Sequence, residues 1–240
     1  MVVGPPDFVG VGAQKAGTTW WYQLLVEHPL VHNHPGVHKE RHFFMRFFDR
    51  AFDADDAAEY HRWFPRPPGF QAGEWTPDYM LHFWIPRLLK HAAPDTKVLV
   101  LLRDPVERIV SGLTHVAARQ AVPDARAATE AYLRGRYAEQ LEGLGSYFDP
   151  SRILVQQYEK CRRDPPGELR RTLAFLGLPP MVSLRSYDSP VNETVVRKVS
   201  LPAATRDELV ALYRRDVEKL VLTHPEIDVG LWPNFSFIAR

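Results

Sequence analysis

A lone cysteine, Cys161, in 240 residues excludes an internal disulfide and any cysteine-built zinc cluster, and it reads as a structural thiol. Charge of one sign is also missing. The formal net charge is +1, so no global field favours nucleic acid or a membrane surface, and any anion site must be assembled from a few local groups. No apolar run approaches membrane-spanning length. The opening "MVVGPPDFVGVGAQK" has neither a basic stretch before a long apolar run nor a small-residue cleavage site. A soluble, cytoplasmic protein is expected, without membrane insertion and without a nucleic-acid partner. Internal repeats are absent. What is present, 45% hydrophobic and 25% charged residues, suffices for the core of one globular domain spanning residues 1–240.

The apolar pattern alternates between short runs and helical periods. Phe8 to Val11 reads as a buried strand, followed by a glycine loop and a helix from Thr18 to Glu27 that His28-Pro29 stops. A helix is expected over 54–64, ending before Pro65, then a proline-rich connector "PRPPGF" leading into "QAGEWTPDYM", and a helix from Trp84 to His91. "TKVLVLL", Thr96 to Leu102, is the clearest buried strand, and after "RDP" an amphipathic helix runs from Val106 to Arg119. "RILVQQY" is a third strand, "PGELRRTLAFLGL" a helix closed by Gly177, and "RDELVALYRRDVEKLVL" a long amphipathic helix. Strands alternating with helices imply an α/β fold: a P-loop-like, three-layer domain with a central parallel sheet flanked by helices.

The loop "GAQKAGTTW", residues 12–20, keeps the glycine spacing of G-x-x-x-x-G-K-[ST], but Thr18 stands where the lysine belongs and the lysine lies inside the loop, at Lys15. A glycine turn that opens a helix makes an anion cradle from backbone N–H groups and the helix N-terminus, with the Thr18 and Thr19 hydroxyls beside it. A threonine-capped helix start explains the same residues without a ligand. In "LLRDPVERIVSGLTH", residues 101–115, Arg103 leaves the carboxyl end of a strand and Ser111 lies about two turns into the next helix. Arginine fork and hydroxyl can clamp a second phosphate. Alternatively, Arg103, Asp104, Glu107 and Arg108 cap and brace a strand-to-helix turn, or Asp104 holds magnesium, as in an ATP-using small-molecule kinase.

"QKAGTTW" and "LLRDPVERIVS" together resemble the two nucleotide-binding motifs of sulfotransferases that use 3′-phosphoadenosine 5′-phosphosulfate, PAPS. The resemblance extends through "KERHFF", "GEWTPDY", "YEKCRRDP" and "FLGLP", which are similar to segments of the heparan-sulfate-type and bacterial branch. It implies a PAPS site in which Lys15, Ala16, Gly17, Thr18 and Thr19 hold the 5′-phosphosulfate, Trp20 stacks on adenine with Tyr158 near it, and Arg103 and Ser111 hold the 3′-phosphate. Glu40 matches the family's general base, with His42 as fallback base or orienting partner. The acceptor implied is a hydroxyl on a small molecule or a glycan. Two departures stand out. Trp75 occupies a position where heparan-type relatives carry lysine, and the late phosphate loop has only Arg197-Lys198 as a candidate.

The chemistry accounts for the displaced lysine. Two phosphates on one adenosine call for two cradles, and Lys15 can stabilise charge on the oxygen from which sulfur departs, a task that needs no metal. His28, His32, His34, His38 and His42 are crowded enough to suggest a metal site, but Pro29 and Pro35 interrupt any common helix face. The aromatic run "HFFMRFF" reads as a core or cleft wall. Two other functions stay open beside the sulfotransferase: the kinase, and a nucleotide-binding module without catalysis, against which Glu40 argues.

Overall fold

The computed structural model describes residues 1–33, 38–118, 125–181 and 199–239. The first strand, β1 (Phe8–Gly12), is buried at every position, as a strand covered on both faces must be. It feeds α1 (Thr18–Val26) through the glycine loop. After a 3-10 turn at Phe43–Phe47 come α2 (Ala54–His61) and β2 (Gly73–Trp75), then α3 (Ile85–Ala92) and β3 (Lys97–Leu102). Three helices follow, α4 (Pro105–Ala118), α5 (Ala125–Leu133) and α6 (Tyr137–Gly145), before β4 (Ile153–Gln157). α7 (Tyr158–Arg163), α8 (Pro165–Leu176) and α9 (Ala203–Thr223) complete the chain.

The four strands are parallel in the order β2-β1-β3-β4. α1 packs against α8, where the Trp21 indole donates to Thr172 Oγ1 at 3.2 Å, and α6 and α4 pack with α9 in a second group. Helices thus flank the sheet as expected. From β1 the chain moves outward to β2, whereas from β3 it moves the other way to β4. The boundary between β1 and β3 is the topological switch point, where the loops at the carboxyl ends diverge and leave a crevice.

Side chains set the element ends. Asp53 closes a capping box on α2, Asp104 Oδ1 accepts from the N–H groups of Val106 and Glu107 at the start of α4, and Asp164 caps α8. Gly177 closes α8 with φ 76°, as its sequence position suggests. The expected helix over 54–64 stops at His61, and the helix expected from Val106 to Arg119 is α4, Pro105–Ala118, with Arg119 outside the described residues. Arg197-Lys198 and His34 also lie outside them.

β2, α5, α6 and α7 were not anticipated from the sequence. β2 is three residues long, and it contains the fully buried Glu74 beside the fully buried Trp75. A Cβ on Gly10 would stand 2.0 Å from Trp75 Cδ2, so β1 needs glycine there to let the indole lie across it. The Trp75 indole N–H donates to Gly12 O at 3.2 Å. Trp75 is therefore a core residue beneath the loop.

Candidate active site

The glycine loop and Arg103 leave the carboxyl ends of adjacent strands, β1 and β3. Ala13 N–H donates to Leu101 O at 2.9 Å, continuing the ladder into the loop. Arg103 Nη1 donates to the Lys15 carbonyl at 3.3 Å, so residues 88 apart in sequence meet at the switch point. Tyr137 OH fixes the Arg103 carbonyl at 2.8 Å, and the Arg103 guanidinium lies 4.9 Å from the centre of the Tyr158 ring.

The loop is held in an unusual conformation. Among the described residues two non-glycines have left-handed backbone, Lys15 at φ 65° and His42 at φ 50°, and both belong to the candidate site. Gly17, the N-cap of α1, has φ 88° and brings no side-chain cap, nor is there an acidic residue in the first turn. That contrasts with the aspartate caps of α2, α4 and α8. A Cβ on Gly17 would lie 2.8 Å from the Tyr158 ring, so Tyr158 seals the loop from the side. The threonine-capping alternative does not hold: Gly17, not a threonine, occupies the cap, and Thr18 Oγ1 accepts from Lys39 Nζ at 3.3 Å.

Trp20 is buried, with its edge toward Tyr158 at 6.5 Å between centroids and the Arg162 guanidinium 5.5 Å over its ring. Its indole N–H is buried without a hydrogen-bond partner, a donor in want of an acceptor beside the loop. Ala16 is fully buried and Thr19 half-buried. Ser111 is half-buried on α4, six residues beyond the helix start and so about 9 Å along its axis.

The second half of the site is the segment around Glu40. Glu40 is 34% exposed, paired on one oxygen with Lys39 at 2.9 Å and on the other with His42 Nε2 at 3.2 Å. Lys39 joins the two halves, because its ammonium touches both Thr18 on α1 and Glu40. Burial holds Lys39 below the ordinary lysine value, opposed by Glu40 and by the further charges of Glu74 and Asp78. Lys39 opens the "KERHFF" segment, and nothing local in the sequence shows that its ammonium reaches Thr18.

Underneath, buried Glu74 clamps this segment by its main chain. Its Oε2 accepts from Arg41 N–H at 3.1 Å and Thr76 O–H at 2.5 Å, and its Oε1 from Tyr60 and Tyr79 hydroxyls at 2.6 and 3.2 Å. Thr76 Oγ1 in turn accepts from Arg41 and His42 N–H at 2.9 and 3.4 Å, Tyr79 OH from Phe43 N–H at 2.9 Å, and Lys39 O from Trp75 N–H at 3.0 Å. Desolvation raises the Glu74 carboxyl, and the hydroxyl and N–H donors pull it back. The clamp joins three stretches far apart in sequence, 41–43, Tyr60 on α2 and 74–79, so the sequence alone shows no sign of it.

Asp104 is taken up entirely by structure. Besides capping α4 through Oδ1, it accepts through Oδ2 from the backbone and side chain of Asn234 at 3.0 and 2.9 Å. Four accepted bonds leave no lone pair for magnesium, and the kinase reading loses its metal carboxylate. Among the histidines, His28 is buried with Nδ1 accepting from Leu30 N–H at 3.1 Å and Nε2 3.0 Å from Pro179 O, which pins α1 to the end of α8. No cluster of three or more His, Cys, Asp or Glu suited to a metal occurs among the described residues. Cys161 is buried and burial pushes its thiol up, as befits a structural residue. No helix among the described residues is long and apolar enough to cross a membrane.

The sulfotransferase domain model matches residues 5–218, and the chain belongs to that family. It is 32% identical over 196 residues to the heparan sulfate glucosamine 3-O-sulfotransferase 6 of Mus musculus, covering 76% of this chain and 55% of the relative. With the 3-O-sulfotransferase 3B1 of Mus musculus identity is 31% over 197 residues, covering 76% and 48%. The chain thus spans about half the length of the curated relatives it matches. A solved sulfotransferase from Alicyclobacillus acidocaldarius shares the fold, with TM-score 0.74 at 22% identity over 95% of this chain and 99% of that one.

Proposed function

We propose that this domain transfers a sulfonate group from PAPS to a hydroxyl on a small-molecule or glycan acceptor, in line and without a metal. The observation that carries the reading is the meeting of the Arg103 guanidinium with the Lys15 carbonyl at the switch point, which brings the strand-end arginine of β3 against the main chain of the lysine-bearing loop that follows β1. The residues present suit such a donor. α1 offers a first turn free of side-chain caps and acids, Trp20 offers an unpartnered buried N–H, and Tyr158 and Arg162 add an aromatic face and a cation.

PAPS supplies the sulfonate: the acceptor oxygen bonds to sulfur as the bond from sulfur to the 5′-phosphate oxygen breaks. Lys15 stabilises the negative charge left on that oxygen, together with the N–H groups opening α1. Glu40 accepts the proton of the acceptor hydroxyl. His42, paired with Glu40, orients it or stands in as base. Lys39 ties Glu40 to Thr18, keeping base and donor loop in register. Arg103 and Ser111 serve the 3′-phosphate. A cytoplasmic setting belongs to the same reading.

The test is ligand choice. The desulfated donor, 3′-phosphoadenosine 5′-phosphate, is expected to raise the melting temperature far more than ATP with magnesium does. At a hundred times its dissociation constant the gain is about 2.7 kcal/mol. An equal shift from AMP, which lacks the 3′-phosphate, would overturn the two-cradle argument. Arg103→Ala is expected to erase the preference for the 3′-phosphate.

A further inference from the structure

The peptide unit that follows Arg103 is gripped at both of its polar atoms. Its carbonyl oxygen, Arg103 O, accepts from Tyr137 OH at 2.8 Å, and its N–H, on Asp104, donates to Glu159 Oε1 at 3.1 Å. Both grips are side chains from other elements, Tyr137 at the start of α6 and Glu159 in the first turn of α7. A planar peptide can otherwise swing between its two Cα atoms through opposed changes in the flanking ψ and φ, the soft dihedrals of the chain. Bonds on both sides stop that swing.

Trp232 ties the two grips together. Its indole N–H donates to the other oxygen of Glu159, Oε2, at 2.9 Å, and its ring centre lies 6.2 Å from that of Tyr137. Two residues further on, Asn234 donates to the Asp104 carboxylate from its backbone and its side chain. The segment carrying both residues is fastened to the end of β4: Gln157 Nε2 donates to Asp228 O and Gln157 Oε1 accepts from Asp228 N–H, each at 2.9 Å, while Lys160 Nζ donates to Glu226 O at 2.6 Å. Tyr137, Asp104 and Trp232 are fully buried, so a bond lost among them leaves a desolvated group without a partner. Trp232 and Asn234 also lie beyond residue 218, where the family match ends.

Such bracing exceeds what the turn from β3 to α4 needs. The Asp104 cap alone starts the helix, whereas holding the peptide before it sets the point from which the Arg103 side chain departs. Bidentate contact between a guanidinium fork and a phosphate depends on that orientation. We infer that Tyr137 and Glu159, coupled by Trp232, are positioning residues for recognition of the 3′-phosphate, fixing the peptide from which Arg103 reaches that group. This rests on the donor reading above and adds to it residues that act only through Arg103.

The experiment measures, by titration calorimetry, the dissociation constants of AMP and of 3′-phosphoadenosine 5′-phosphate, whose ratio reads the 3′-phosphate alone. Tyr137→Phe keeps the buried ring and removes the hydroxyl. It is expected to lower the ratio about tenfold, the worth of one hydrogen bond, with AMP affinity kept. Tyr213→Phe is the matched control, because it too loses a buried hydroxyl bonded to a backbone carbonyl, that of Tyr132 at 2.7 Å. It should lower the melting temperature similarly and leave the ratio parental. Trp232→Phe keeps an aromatic ring beside Tyr137 but releases Glu159 Oε2, and is expected to lower the ratio as well. In the Arg103→Ala background, Tyr137→Phe should change the ratio no further. A parental ratio in Tyr137→Phe or Trp232→Phe, an equal fall in Tyr213→Phe, or a further fall on top of Arg103→Ala would each overturn the inference. A parent that binds the two nucleotides equally would instead strike at the donor reading.

Discussion

Replacing Glu74 by glutamine removes one charge and exchanges one acceptor for a donor in a sealed site. In the parent all four bonds to this carboxylate are accepted, two per oxygen. With its remaining oxygen toward Tyr60 and Tyr79, the glutamine amide would face Arg41 N–H and the Thr76 hydroxyl, two donors. Hydrogen bonds to a charged group contribute 1.5–3 kcal/mol each, and losing two, partly offset because Thr76 still accepts from Arg41, gives a cost of about 3 kcal/mol. For a chain of this size that lowers the melting temperature by roughly 6–12 °C.

The pH dependence has a definite sign. Because burial raises the folded-state value of Glu74, the folded protein binds more protons than the unfolded one between the ordinary and raised values. The parent therefore loses stability as pH rises through that window, and the variant lacks this slope. The gap between them should be widest below the ordinary carboxylate range.

Function should suffer beyond stability. The clamp sets the path of residues 39–43 and hence the aim of Glu40, and misplacement of a reacting group by 1 Å can cost about a hundredfold. The assay is a single-turnover rate per folded molecule, with the melting curve and the affinity for 3′-phosphoadenosine 5′-phosphate taken from the same preparation. Parental nucleotide affinity with a transfer rate lowered well beyond the folded fraction is expected. A parental melting temperature, or a rate that falls only with the folded fraction, would refute the clamp.

Glu40→Gln is expected to melt and bind nucleotide like the parent, yet transfer sulfonate roughly a hundredfold more slowly, as loss of general-base catalysis implies; a parental rate would pass the role to His42, tested by His42→Gln. Gly17→Ala combines a left-handed backbone with a Cβ 2.8 Å from Tyr158. It should cost about 1–2 kcal/mol and weaken nucleotide binding, measured by calorimetry, whereas Gly143→Ala, with open space at its Cβ, should do neither.

The donor half was the more legible in sequence because its signals are local. An apolar run, two glycines five apart, a lysine between them and an arginine ending a second apolar run lie within short windows, and a parallel sheet then brings them together by rule. The acceptor half depends on tertiary partners. "GEW" shows no strand period, and Glu74 reads as a solvated charge until Tyr60, Thr76 and Tyr79 converge on it. Trp75 suggested an altered cleft, yet the glycine at position 10 that accommodates it sits 65 residues away. α5 has no fully buried residue and leaves little apolar rhythm, whereas α6 does carry one, burying Tyr137, Ala138, Leu141 and Leu144.

The unequal construction of the two halves bears on how this chain can change over time. The loop and Arg103 hang from neighbouring rungs of one ladder about 4.8 Å apart, so their spacing is inherited with the sheet and resists drift. The segment bearing Glu40 is instead lashed to Glu74 on β2 and to Thr76 just beyond it by side-chain hydrogen bonds. A single substitution at Glu74 or Thr76 can therefore re-aim Glu40 while the loop and Arg103 stay where the sheet sets them.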